Sequence, residues 1–171
     1  CFLGYGMTET VSHIAIRALN GKQQSEIYTA MENVTFSTDK RDCLCIDAPK
    51  IVADILVTND MVELIDKYRF KWLGRFDNVV NSGGIKLFPE QIETKIATVL
   101  NMPFYLIGAP DSHLGEKLVM YVEQSKYKAI DKEAIKEKIR QILSPYEMPR
   151  EIIFMEKIAY TPTGKIKRKN I

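Results

Sequence analysis

Short runs of apolar residues separated by polar turns fill the first part of the chain. From SEIYTAMENVTFST (25–38) through DCLCIDAP (42–49) to IVADILV (51–57), the β-rich runs follow one another at a spacing that predicts a small antiparallel sheet or barrel. VELID (62–66) and RFKWLG (69–74) flank a turn at 66–68 and predict a further hairpin, while residues 1–20, rich in Gly and Thr, read as loop and short strand. After Gly74 the period changes. In PEQIETKIATVLN (89–101) a proline opens the first turn, and Ile92, Ile96, Val99 and Leu100 recur at helix spacing. DKEAIKEKIRQIL (131–143) repeats the pattern, with Asp131 as the cap and Ile135, Ile139, Ile142 and Leu143 inward. FYLIGAP (104–110), KLVMYVEQ (117–124) and EIIFME (151–156) read as strands. The expected fold class is α+β, a β-rich segment followed by a compact unit of two helices and roughly three strands. The change of texture falls near RFDN (75–78), and no internal repeat is visible.

Composition narrows the function classes. At 171 residues, with 46% hydrophobic and 27% charged content, the chain is an ordinary globular one that can bury a sizeable core. A formal charge of +2 is too small for a general nucleic-acid binder. Lys165, Lys167, Arg168 and Lys169 hold four of the 24 basic residues, leaving 20 against 22 acidic ones, so the positive charge sits at one tip of a slightly acidic body. No apolar run approaches the roughly 18–20 residues that span a bilayer. Neither membrane insertion nor a secretory signal is expected. Cys1, Cys43 and Cys45 fit neither a disulfide framework nor a zinc spacing. Cys43 and Cys45, two apart in a strand, read as small core residues of a reduced, cytoplasmic protein. His13 and His113 form no ligand pattern. The chain opens CFLGYG without an initiator Met, which raises the expectation of a fragment.

Four stretches carry candidate chemistry, and each has a bland alternative. Gly83–Gly84 in GRFDNVVNSGGIKLFPEQIE (74–93) permits close approach of a ligand, or is simply a hairpin turn. YGMTET (5–10) offers hydroxyls and Glu9, suited to phosphate and magnesium, or is a solvated turn. In TNDMVEL (58–64), Asp60 sits before a strand, where its carboxylate could accept both hydroxyls of a ribose or merely cap a turn. PTGK (162–165) presents Lys165 on a tight turn, as a reactive or a solvated lysine.

Their order decides between these readings. YGMTE, a TND turn, GRxDxxxxSGGxKxxPxxIE and TPTGK together resemble the carboxyl-terminal part of the acyl-adenylate-forming enzymes, which include acyl-CoA synthetases, peptide-synthetase adenylation domains and luciferases. The resemblance spans nearly the whole chain. It implies residues 1–74 as the end of a large AMP-binding domain, 75–77 as a hinge, and 78–171 as a small mobile carboxyl-terminal domain. The implied reaction joins a small carboxylic acid to AMP from ATP, with Mg2+, and then passes the acyl group to coenzyme A. The small domain turns between the two halves. Tyr5 is then expected near adenine, Thr8 near phosphate, Glu9 on magnesium, Asp60 on ribose and Arg75 on ribose or phosphate. Asp77 matches the hinge, and Gly83, Gly84 and Lys86 match the coenzyme A tunnel. Lys165 matches the lysine that bridges substrate carboxylate and α-phosphate, with its basic neighbours solvated. Asn59 stands where the family has glycine, and asparagine tolerates the same positive φ.

The family's Ser/Thr/Gly-rich phosphate loop has no candidate in the sequence and is expected upstream of Cys1, so the chain alone is expected not to run the reaction. MTETVSHIAIR and SGGIKLFPEQIE look most like bacterial o-succinylbenzoate–CoA ligases of menaquinone synthesis, a resemblance that implies Ser12, His13 and Ile14 bordering the acyl site, with a packing role as the equal alternative for His13. A carrier-protein thiol in place of coenzyme A remains an alternative within the fold. A homo-oligomer formed through the large domain is left open. The non-enzymatic alternative is a binder of nucleic acid or acidic surfaces that works through the basic tail. Low net charge and the lack of interleaved aromatics weigh against it.

Overall fold

The computed structural model describes residues 1–124 and 131–168, which fall into two compact units, Cys1–Asp77 and Asn78–Ile171. The first unit consists of β1 (Phe2–Gly6), β2 (His13–Ala18), β3 (Ile27–Ala30), β4 (Thr35–Thr38), β5 (Cys43–Asp47), β6 (Leu56–Asp66) and β7 (Arg69–Arg75). They form one seven-stranded sheet in the order β1-β2-β3-β7-β6-β5-β4, antiparallel throughout. It is an open sheet, since β1 and β4 are its edges. The aromatic side chains that favour these strands also hold the sheet together. Phe70 is fully buried, with ring centroids of Tyr5, Tyr28 and Phe36 at 5.2, 5.3 and 4.9 Å.

Two expectations for this unit need correcting. Residues 51–55 are not strand: the Ala48 carbonyl accepts from the Ile51 and Val52 amides, which closes a turn, and β6 begins only at Leu56. Asn59 and Asp60 lie inside the eleven-residue β6 rather than on a turn before a strand. Asn59 is not among the residues of positive φ, so its asparagine answers no left-handed position. The long pairing with β7 keeps this stretch extended and sets Asp60 directly opposite Arg75. Cys43 and Cys45 are buried in β5 as free thiols.

In the second unit, β8 (Val80–Ser82) and β9 (Ile85–Leu87) form a hairpin, followed by α1 (Pro89–Ile96), β10 (Phe104–Asp111), β11 (Gly115–Glu123), α2 (Lys132–Arg140) and β12 (Glu151–Met155). The sheet thus has five strands rather than three, because the segments beside Gly83–Gly84 pair with each other. β11 is antiparallel to β10 and parallel to β12, and touches β8 at Gly115. Both helices are shorter than their apolar periods suggest. Their last apolar residues sit in terminal turns closed on the Ile96 and Ile139 carbonyls, which still bury Leu100 and Leu143. Asp131 occupies the N-cap of α2 in extended conformation, without a side-chain capping bond. No described helix is long and apolar enough to cross a membrane.

Strand β11 is apolar on both faces. Leu118, Met120 and Val122 join Leu106, Ile92, Ile96, Ile135 and Ile139 under the helices. Val119 and Tyr121 join Tyr105 and Ile158 on the opposite face, where Ile166 also packs. Leu106→Ala is expected to lower the unfolding free energy by about 2–5 kcal/mol through lost contacts and a residual cavity. Ile51→Ala, at a position 45% exposed in the turn, should change it by less than about 0.5 kcal/mol. Urea unfolding of the two variants checks both values.

Candidate functional site

The first unit assembles its site around one buried carboxylate. Asp60 is 7% exposed, and an ionised carboxylate is buried only with donors at hand. Tyr5 on β1 donates its hydroxyl to Asp60 Oδ2 at 2.7 Å, and Trp72 Nε1 on β7 donates to Oδ1 at 3.1 Å. Arg75 Nη1 lies 3.6 Å from Oδ1. Burial first, and then the Asp60 charge, push the Tyr5 hydroxyl well above its ordinary ionisation range, so that it remains a donor. A second polar chain leads from this carboxylate to the end of the unit. Arg41 Nη1 donates to Asn59 Oδ1 at 3.0 Å, Asn59 Nδ2 donates to Asp77 Oδ2 at 3.3 Å, and Arg75 Nη2 is 3.9 Å from the same oxygen. Tyr5, Asp60, Arg75 and Asp77 are therefore one connected group. Trp72 was not legible as part of it, because its place beside Asp60 depends on strand register.

Thr8 and Glu9 are exposed on a single 3-10 turn, Thr8–Thr10, that follows β1. Thr10, 1% exposed, holds this turn: its hydroxyl receives the Met7 amide at 3.0 Å and has two carbonyls within reach of its one proton, Ser12 at 2.8 Å and Met7 at 3.0 Å. Gly6 is needed just before it. A Cβ there would lie 2.4 Å from the Ser12 carbonyl oxygen, a backbone contact that cannot yield cheaply. Ser12 and His13 are exposed and linked at 3.2 Å, whereas Ile14 is fully buried in the core.

In the second unit Gly83 and Gly84 form the tip of the β8–β9 hairpin, both at positive φ (59° and 82°). The Gly83 amide donates to the Leu114 carbonyl at 2.8 Å, so the tip is tied to the turn before β11. It borders a cavity of about 130 Å³ lined by Ser82, Gly83, Leu114, Tyr146, Met148 and Arg150. Lys86 is exposed on β9, across from Asn81. Lys165 is exposed on a separate hairpin closed by the Tyr160–Ile166 bridge, with Gly164 at φ 80° and the Thr161 amide donating to the Lys165 carbonyl at 2.7 Å.

The expectation that the neighbours of Lys165 are solvated holds for Lys167 and fails for Arg168; Lys169 lies outside the described residues. The Arg168 side chain is only 16% exposed and forks onto Glu93, with Nη1–Oε1 at 2.6 Å and Nη2–Oε2 at 2.7 Å. A guanidinium already committed to a carboxylate adds nothing to an exposed basic patch, which weakens the reading of residues 160–168 as a binding tail. Glu93 closes the PxxIE motif, but sequence alone could not pair it with a residue 75 positions away.

Tyr5 gives a test of the buried cluster. Unfolded Tyr5 loses its proton near pH 10, while the folded residue keeps it. The folded chain then binds more protons than the unfolded one, so this contribution to stability is present below about pH 10 and is lost as pH rises above it. Tyr5→Phe should cost about 1–3 kcal/mol at neutral pH by stripping a donor from Asp60, and should flatten the alkaline decline. Urea unfolding over a pH series checks this, and equal alkaline slopes in the two proteins would refute it.

Comparison with known proteins bears on the whole chain. Residues 104–165 match the AMP-binding enzyme C-terminal domain. Among curated relatives, mitochondrial acyl-coenzyme A synthetase ACSM5 of Mus musculus is 29% identical over 126 residues, covering 69% of this chain and 22% of that protein. The chain thus spans about a fifth of the length of that relative. An acyl-CoA synthetase (AMP-forming)/AMP-acid ligase II-like protein of Dyadobacter fermentans is 39% identical in sequence, with TM-score 0.51, over 98% of this chain and 49% of that one. The o-succinylbenzoate CoA synthetase of Bacillus subtilis, solved with its acyl-adenylate, shares the fold at 16% identity and TM-score 0.79, over 96% of this chain and 39% of its own. Residues 104–165 thus carry the carboxyl-terminal domain of AMP-binding enzymes, and most of the chain is similar to acyl-CoA synthetases of the acyl-adenylate-forming superfamily.

Proposed function

We propose that these residues serve an ATP-dependent acyl-CoA ligase. A substrate carboxylate attacks the α-phosphorus of ATP, pyrophosphate leaves, and the thiol of coenzyme A then displaces AMP from the acyl-adenylate. The observation that carries this reading is the exposed Lys165 on its glycine turn, in a chain whose relatives are named acyl-coenzyme A synthetases. In the first half-reaction two anions must approach each other, and negative charge grows on the α-phosphoryl oxygens. An ammonium held between them offsets the repulsion and favours the transition state.

In the same reading the nucleotide sits at the Asp60 group. Tyr5 and Trp72 fix the carboxylate by one bond to each oxygen, which leaves lone pairs for the ribose hydroxyls. Thr8 contacts phosphate. Glu9 and Thr8, adjacent and exposed, are hard oxygen donors that fit Mg2+, and Glu9 would hold the ion, whose charge offsets that of the phosphates. Asp77 is the hinge between the end of a large domain (1–74) and the small one (78–171). The Gly83–Gly84 tip, with Lys86 beside it, faces pantetheine.

The proposed acid is o-succinylbenzoate, on the strength of MTETVSHIAIR and SGGIKLFPEQIE. Turnover of a panel of carboxylic acids by the longest natural chain carrying these residues tests the choice, and a strong preference for another acid would overturn it. Residues 1–171 alone are expected to release no pyrophosphate.

Lys165→Ala in the complete enzyme should cost about 3–4 kcal/mol of transition-state stabilisation in adenylation, roughly 10²–10³ in rate. It should largely spare transfer from preformed acyl-AMP. Lys167→Ala is the control and should behave as the parent. Single-turnover kinetics of each half-reaction separates the cases, and wild-type adenylation by Lys165→Ala would sink the proposal. Gly84→Trp should do the opposite and impair thioester formation more than adenylation. A Cβ at Gly84 meets nothing within 4 Å, which leaves the first shell around the tip free, although φ of 82° adds local strain.

A further inference from the structure

We infer that Arg168 is a positioning residue for Lys165, its ion pair with Glu93 holding the lysine-bearing hairpin against α1 and β10. The inference rests on the adenylation reading of Lys165 and adds a residue to which that reading gives no role.

The hairpin fixes its own shape but not its place. The Tyr160–Ile166 bridge, the Gly164 amide on the Thr161 carbonyl and the Lys165 amide on the Thr161 hydroxyl are all internal to it. Two anchors follow Lys165. Ile166 packs against the cluster of Tyr105, Val119, Tyr121 and Ile158, a non-directional contact that resists removal more than sliding. Arg168, three residues beyond Lys165, supplies direction. Its Nη1 donates to Glu93 Oε1 and to the Leu106 carbonyl, both at 2.6 Å, and its Nη2 donates to Glu93 Oε2 at 2.7 Å. Glu93 Oε1 in turn accepts the Leu106 amide at 2.7 Å, so one carboxylate joins α1, β10 and the chain end. Glu90 adds a second carboxylate at 4.0 Å. Both side chains are largely withdrawn from water, at 16% and 17% exposure, so the pair is little screened and tolerates few other geometries. A lysine at 168 could not reproduce the two-pronged contact. The Ile158 amide on Glu123, at 3.0 Å, still holds the start of the hairpin, so loss of the fork frees its Lys165 side to shift, and a misplacement of about 1 Å can cost on the order of 10² in rate.

The test uses the complete enzyme with Arg168→Gln, Arg168→Lys and Glu93→Gln, each measured in both half-reactions. Adenylation should fall by roughly 10–10² with KM for acid and ATP little changed, and transfer from preformed acyl-AMP should be spared. Native-state trypsin should cut after Lys165 faster than in the parent. In a Lys165→Ala background Arg168→Gln should add no further loss, because it acts through a lysine no longer there. Equal loss in both half-reactions, an independent loss on top of Lys165→Ala, or unchanged adenylation in Arg168→Gln would each overturn the proposal. Wild-type adenylation by Lys165→Ala would remove the adenylation reading, and this inference with it. Wild-type adenylation by Arg168→Gln beside a crippled Lys165→Ala removes the inference alone. If Arg168→Gln does not fold, Glu93→Gln, which keeps an acceptor for the Leu106 amide, carries the same comparison.

Discussion

Strand β11 carries apolar side chains on both of its faces, and the second unit is arranged to cover both. Leu118, Met120 and Val122 are buried under α1 and α2, and Val119 and Tyr121 need a cover of their own. Two amphipathic helices can close one face only. The chain beyond β12 supplies the other cover, through Ile158 and Ile166. The hairpin that presents Lys165 is thereby attached to the core by the same burial that stabilises the sheet. An exposed candidate lysine and a fully buried Leu118 are two consequences of one strand.

Burial of apolar surface does not orient a hairpin, and carboxylates do that here. Glu123, 5% exposed at the end of β11, accepts the Ile158 amide at 3.0 Å. Glu93 takes the Arg168 fork. In the first unit Asp60 takes Tyr5 and Trp72. Each of these acids lost water on folding and regained donors from an element far away in sequence, which gives directional contacts where packing alone permits sliding. The same arrangement suits a nucleotide cage or a catalytic hairpin, because a carboxylate already held by two donors needs little further ordering when a ligand arrives.

The basic cluster near the chain end shows how composition can mislead. Counted as charge, Lys165, Lys167 and Arg168 are alike. In the fold Lys165 and Lys167 are exposed, while Arg168 is forked onto a carboxylate from α1. The three residues separate into a presented lysine, a solvated one and a tether, and only the tertiary contact draws that distinction.

The sequence by itself determined what depends on local periodicity and backbone chemistry. The two helices, the strands at 104–110, 117–124 and 151–156, the 66–68 turn, and the glycine turns at Gly83–Gly84 and Gly164 all follow from spacing or from φ that only glycine adopts freely. The order of motifs around Tyr5, Asp60, Gly83 and Lys165 was legible for the same reason, since it lies along the chain. The register of β6 on β7 was not. It set Asp60 inside a strand opposite Arg75, beside Trp72, where a turn had been expected. Nor were the ends of α1 and α2, the burial of Ile14, or the Glu93–Arg168 pair across 75 residues. These were decided by the tertiary structure, because pairing partners and donors for buried charges come from segments that meet only after the sheets have formed.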